Sequence, residues 1–131
     1  MVNAGRFLAP FLVLVLAAAV LTAGAWNRSA EYDEQYTLFL IAGTARPVWP
    51  ETPVPVAAIR AAQTGRGALP ALARDLRRTD VHPPLYFLAV SGWRALTGDG
   101  LFATRLLSVG LAVGALAAVG TIALRLGVSP V

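Results

Sequence analysis

The sequence predicts an all-α integral membrane protein with about three transmembrane helices and one long extracytoplasmic loop that contains short interfacial helices. Three observations predict this class. Of the 131 residues, 56% are hydrophobic and only 14% are charged, a balance too apolar for a water-soluble globule. Two runs of nineteen uncharged residues, 7–25 and 106–124, are each long enough to cross a bilayer. Most polar residues lie between these runs, in residues 27–80.

The first element is a predicted transmembrane helix over residues 7–26. Its uncharged run would extend about 28 Å at 1.5 Å per residue, and Trp26 closes it as an interfacial aromatic residue. A cleaved signal peptide is the alternative, with Arg6 as the basic start and the small residues of 21–25 as a cleavage site. The length of the run and the apolar segments that follow favour a span that is kept.

The loop, residues 27–80, is predicted to begin with a short interfacial helix over 32–42. Apolar side chains recur there at Tyr36, Phe39 and Leu40, which is helical spacing. Four prolines then favour an extended segment, and a further helical piece is expected before the glycines at 65 and 67.

The end of the loop is predicted to be a short basic amphipathic helix that lies on a membrane surface. Its apolar stripe is Leu69, Leu72, Ala73 and Leu76. Three arginines lie off this stripe: Arg74, Arg77 and Arg78.

Two more spans are predicted after the loop. The second covers residues 81–97, begins with prolines suited to a first helical turn, and carries Arg94 near its end. Gly98-Asp99-Gly100 is typical of a tight turn. The third span is predicted over residues 101–124.

Composition excludes several classes of function. The chain has no cysteine and one histidine, so disulfides, thiolate catalysis, cysteine zinc sites and histidine-rich metal sites are excluded. Its net charge of +4 comes from arginines spread along membrane-flanking segments, which excludes nucleic acid as a partner. A divalent metal cofactor is left open, because one acidic pair and one histidine do not define a site.

An acidic cluster lies just beyond the first span. It holds three of the seven acidic residues of the chain, Glu31, Asp33 and Glu34. Carboxylates at this depth are repelled by anionic headgroups, so they need another reason to be there. They either cap the helix that follows, where the helix dipole favours acids, or hold a reacting group at the membrane surface.

Three passages of the chain, taken in order, resemble a known family. They are Tyr32–Thr37 with its Asp-Glu pair, Asp80–Phe87 with its His-Pro-Pro-Leu-Tyr sequence, and Leu96–Ser108 with its Gly-Asp and Arg-Leu pairs. Together they resemble the GT-C type membrane glycosyltransferases, which are related to protein O-mannosyltransferases and aminoarabinose transferases. The resemblance extends over nearly all of the chain.

The resemblance implies a multi-pass protein of the bacterial plasma membrane, with a cytoplasmic N-terminus and an extracytoplasmic first loop. The seven arginines of residues 27–80 would, counted alone, place that loop in the cytoplasm. It also implies an inverting transfer of sugar from a polyprenyl-phosphate donor to an acceptor hydroxyl. Asp33 would then be the catalytic base and Glu34 a supporting residue. Cations must stabilise the leaving phosphate, with His82 a candidate by motif and Arg74, Arg77 and Arg78 by location.

The family has many more spans than this chain, so the chain matches only the family's opening portion. The expected partners are therefore membrane lipid, the lipid-linked donor and further helices, from another chain or a missing C-terminal part. Alone, the chain is expected to be an inactive fragment. The competing hypothesis is a small non-enzymatic membrane protein that binds a partner or lipid, in which Asp33→Asn would have no consequence.

Overall fold

The computed structural model describes residues 5–44, 52–79 and 84–127. All regular structure in these ranges is helical. In order the helices are α1 (Gly5–Asn27), α2 (Tyr32–Ala42), α3 (Val56–Ala62), α4 (Leu69–Thr79), α5 (Pro84–Thr97) and α6 (Leu101–Arg125).

Two of the described helices are long and apolar enough to cross a membrane. They are α1, over Leu8–Asn27, and α6, over Leu101–Arg125, with mean hydropathies of 2.4 and 2.1. Neither apolar stretch is buried inside the protein, and large side chains such as Leu12 and Val119 are more than half exposed. These helices coincide with the first and third predicted spans and are suited to contact with lipid tails.

The predicted second span, residues 81–97, is not confirmed as a span. Its described part is α5, whose 14 residues extend about 21 Å, whereas the hydrocarbon core is about 30 Å thick. One face of α5 is also buried in protein, through Phe87, Val90 and Arg94. Phe87 and Val90 of this helix therefore belong to a protein core, whereas Leu85 and Leu96 are exposed.

The chain divides into two compact units, Met1–Arg28 with Arg105–Val131, and Ser29–Thr104. In the first unit, the side chain of Arg105 joins the end of α1 to the beginning of α6. Its Nη1 donates to the carbonyl oxygens of Ala25, at 2.8 Å, and Arg28, at 2.6 Å. Carbonyls at a helix C-terminus have no partner within the helix, so a cation is a favourable one.

The second unit is built on the contacts of α2 and α4 with α5. Its apolar cluster contains Leu40 from α2, Leu72 and Leu76 from α4, and Phe87 from α5. The amphipathic helix predicted at residues 69–76 is therefore present; Leu72 and Leu76 of its stripe pack on protein, whereas Leu69 is exposed. Likewise α2 has the predicted bounds 32–42, and its residues 38–41 are all buried in the protein.

A close backbone contact joins the end of α2 to the α3–α4 loop. Gly43 ends α2 with a left-handed φ of 76°, and the N–H of Gly67 donates to the carbonyl of Ile41 at 2.7 Å. A Cβ placed on Gly43 would lie 2.7 Å from the Cα of Gly67, closer than real Cβ contacts occur. Both glycines are therefore required for the two segments to touch.

Candidate functional site

The acidic cluster lies at the start of α2, where its two central carboxylates have different environments. Glu34 belongs to a capping box with Glu31, and its Oε2 accepts the backbone N–H of Glu31 at 3.1 Å. This bond satisfies one of the N–H groups that a helix start leaves without a partner. Glu34 therefore stabilises the first turn, which is the capping role that the sequence left open.

Asp33 occupies the neighbouring position without such a role. Its side chain is exposed, and within residues 5–44, 52–79 and 84–127 its carboxylate has no hydrogen bond or ion pair. Only its backbone carbonyl is engaged, as the acceptor of the Thr37 hydroxyl at 2.9 Å. A carboxylate that is open to solvent on a rigid first turn can accept a proton from a bound molecule.

The three arginine candidates project from α4 on the side away from the core. Arg74, Arg77 and Arg78 are exposed, whereas Leu72 and Leu76 are 4% and 2% exposed. In the described part of the chain, no ion pair or hydrogen bond links these guanidinium groups to Asp33 or to any other residue. His82, the fourth candidate, lies outside the described residues.

Among the described residues of the second unit, the most buried charged group is not predicted from the sequence as a site. The side chain of Arg94 is 0% exposed, and its Nη2 lies 3.1 Å from Oδ1 of Asp99. The same nitrogen donates to the carbonyl of Gln63 at 2.9 Å, while Oδ2 of Asp99 accepts the N–H of Gly65 at 3.0 Å. These residues, together with Arg66, form what we call the Arg94 cluster.

The Arg94 cluster connects three segments of the second unit. Arg66 donates from Nη2 to the carbonyl of Arg94 at 3.1 Å, near the end of α5. The cluster thus ties the α3–α4 loop to the end of α5 and to the turn at residues 98–100. A lone arginine in an apolar helix, five residues before an aspartate, is the sequence signal that could have identified it.

The electrostatics of the cluster follow from burial. Desolvation lowers the pKa of the Arg94 guanidinium, and the negative charge of Asp99 opposes that effect. The guanidinium remains charged at neutral pH because an arginine begins from a very high pKa. Its Nε and Nη1, and Nε2 of Gln63, are buried without a hydrogen-bond partner among the described residues. The cluster is therefore a structural centre rather than an accessible reaction site.

In the described part of the chain, no group of three or more histidine, aspartate or glutamate side chains is placed so that it could hold a metal ion. No protein-family model, no curated protein and no solved structure matches the chain.

Proposed function

We propose that the chain is the opening part of an integral membrane glycosyltransferase of the GT-C type, which transfers a sugar from a polyprenyl-phosphate donor to an acceptor hydroxyl. The observation that carries this proposal is the exposed, unpartnered carboxylate of Asp33 among the described residues. It lies on the first turn of α2, which only residues 28–31 separate from the apolar helix α1. A base at that point meets a lipid-linked substrate near the membrane surface.

In the proposed reaction, the acceptor oxygen attacks the anomeric carbon while Asp33 takes the hydroxyl proton. The bond to the donor phosphate breaks, and the polyprenyl phosphate leaves with the electron pair, so one displacement inverts the anomeric centre. Glu34 supports Asp33 by closing the first turn through its bond to the N–H of Glu31. The leaving phosphate needs a cation, for which His82 remains the candidate by motif.

The proposed topology has two spans, α1 and α6, with residues 29–104 on the extracytoplasmic side. The 14-residue length of α5 and its buried Arg94 support this topology over three spans. The bonds from Arg105 to the carbonyls at the end of α1 support it as well, because the two spans then meet at one membrane surface.

This topology can be tested by chemical labelling, because the chain contains no cysteine. In intact cells, an impermeant maleimide is expected to label Ala57→Cys on α3 but not Leu126→Cys, which should react only after permeabilisation. Labelling of both Ala57→Cys and Leu126→Cys from outside would contradict two spans and restore a third crossing at α5, whereas labelling of Leu126→Cys alone would place residues 29–104 in the cytoplasm.

A non-enzymatic membrane protein is the second candidate function. The capping bond of Glu34 favours it, because one member of the acidic pair already has a purely structural reason to be present. Under this function Asp33 would be an ordinary exposed acid, and α1 and α6 would serve only as anchors.

The test is complementation in cells that lack this gene, with sugar transfer from polyprenyl-phosphate donors as the readout. Four versions are compared: the chain itself, a version extended through any downstream reading frame, and Asp33→Asn and Asp33→Glu in the extended background. We expect Asp33→Asn to lower the transfer rate about 10²–10⁴-fold and Asp33→Glu to keep part of it. Equal rates for the extended protein with and without Asp33→Asn, at equal membrane levels, would refute the base and favour the non-enzymatic function.

A further inference from the structure

We infer that the exposed side of α4 docks on anionic lipid headgroups through Arg74, Arg77 and Arg78, which together form its basic face. The inference rests on the membrane insertion in the proposed function and is independent of the transfer chemistry. It assigns these arginines a bilayer surface as partner, instead of the single donor phosphate expected from their location.

The orientation of the basic face follows from the burial of the opposite face. Successive residues of an α-helix are rotated by about 100°, so the three arginines fall within an arc of about 100°. The middle of that arc is opposite Leu72 and Leu76, which are 4% and 2% exposed in the core with α2 and α5. The core therefore fixes the arginines on the outer surface.

Among the described residues, no ion pair balances the charge of this face. Arg74 and Arg78 are four residues apart and Arg74 and Arg77 three, spacings at which like charges destabilise a helix. None of the three has an ion-pair partner in the described ranges, and the single acid of α4 is Asp75, on the flank of the arc. An external anionic partner would remove the repulsion.

The shape of the face favours a headgroup layer over a single lipid-linked phosphate. A single phosphate is usually held by donors that converge on it in a recess. Here the guanidinium groups point outward from the exposed side of a helix, as contact with many anions on a plane requires. Because Leu72 and Leu76 of the apolar side of α4 are buried in the protein core, the docking is electrostatic and sensitive to salt, unlike the insertion of an ordinary amphipathic helix.

The test uses the full chain in lipid nanodiscs and the reactivity of one introduced cysteine. Ala71 is exposed and lies beside Arg74 and Arg78 at the edge of the arc, so Ala71→Cys reports access to the basic face. The rate at which an uncharged, bulky maleimide labels this cysteine is measured in two kinds of disc. One contains phosphatidylcholine alone, and the other contains phosphatidylcholine with roughly 30 mol % phosphatidylglycerol, which gives a negative charge on the order of that of a natural leaflet. Ala57→Cys on α3 is the matched control.

We expect labelling at position 71 to slow about tenfold or more in the anionic discs and to recover at about 0.5 M salt. The slowing should disappear when Arg74, Arg77 and Arg78 are all changed to glutamine, but persist with Arg60→Gln, an exposed arginine of α3. Position 57 should react equally in both lipids.

Equal rates at position 71 in both lipids would overturn the inference, and so would protection that the triple variant retains. Protection by a trace of polyprenyl phosphate in neutral discs, without protection by phosphatidylglycerol, would also overturn it in favour of a single lipid phosphate. Failure of the chain to enter nanodiscs would instead refute the membrane part of the proposed function. This failure would be detected before any labelling.

Discussion

Removal of the Asp99 carboxylate is expected to destabilise the second unit more than removal of any exposed acid. In Asp99→Ala the guanidinium of Arg94 stays buried, with 0% of its side chain exposed, and loses its ion-pair partner. Breaking a buried pair by removing one member costs about 3–5 kcal/mol. Because the Asp99 side chain is 29% exposed, water can replace part of the lost interaction. We therefore expect the free energy of unfolding to fall by an amount near the lower end of this range, about 3 kcal/mol.

A second substitution separates the charge of Asp99 from its hydrogen bond. Asp99→Asn removes the negative charge but keeps an oxygen that can accept the N–H of Gly65, now bonded to Oδ2 at 3.0 Å. Asp99→Ala leaves that N–H without its acceptor as well. We expect Asp99→Asn to lower the free energy of unfolding by about 1 kcal/mol less than Asp99→Ala does, because one hydrogen bond typically contributes that much.

The assay is urea unfolding of the full chain in a neutral detergent, followed by tryptophan fluorescence. Trp93 is a suitable probe because it adjoins Arg94 in α5 and its indole Nε1 donates to the carbonyl of Ala103 at 2.7 Å. Asp33→Asn, which changes an exposed acid, is the control. Its free energy of unfolding should lie within about 0.5 kcal/mol of that of the unchanged chain. The reasoning fails if Asp99→Ala is as stable as that control.

The remaining predictions concern backbone contact and the attachment of α1. Gly43→Ala should destabilise the chain by about 1 kcal/mol more than Gly65→Ala in the same titration, because both have positive φ but only Gly43 faces backbone, at Gly67, within 3 Å. Equal losses would mean that the two segments do not touch in solution. Arg105→Gln should cost about 2–3 kcal/mol of thermal stability, because two carbonyls at the end of α1 lose a charged donor. Arg125→Gln, at an exposed position, should leave the melting temperature unchanged, and an equal fall in both variants would contradict a specific role for Arg105.

The helices with strong local signals can be predicted from the sequence. The helical spacing of Tyr36, Phe39 and Leu40 predicts a helix over residues 32–42, and α2 has these bounds in the structure. The amphipathic stripe of α4 is found for the same reason, since its spacing is a local property. What covers that stripe is not predictable, because α2 and α5 are brought to it by contacts that no local pattern records.

The interpretation of α5 shows the limit of hydropathy more clearly. Its apolar residues and its position before a turn are those of a short span, and the sequence alone places Arg94 at a membrane edge. The structure gives Arg94 a partner five residues later, Asp99, and another thirty-one residues earlier, the carbonyl of Gln63. Hydropathy averaged over a stretch of neighbouring residues contains no information about distant groups that neutralise a charge.

The acidic pair and the helix that carries it are predicted from the sequence, and the resemblance assigns Asp33 as base and Glu34 as support. The residues alone do not show which of the two carboxylates caps the helix. That depends on which one reaches back to the N–H of Glu31, a matter of about 1 kcal/mol in helix capping.

The contact between Gly43 and Gly67 holds one end of α2, and a change at this contact would move the other end. An eleven-residue helix is about 16 Å long and nearly rigid, so a shift at one end moves the other. One end carries Asp33, and the other is held by the bond from Gly67 to the carbonyl of Ile41. Under the proposed function, the direction of the Asp33 carboxylate would therefore depend on the α3–α4 loop, and substitutions in that loop would change the proposed site without altering any residue in it.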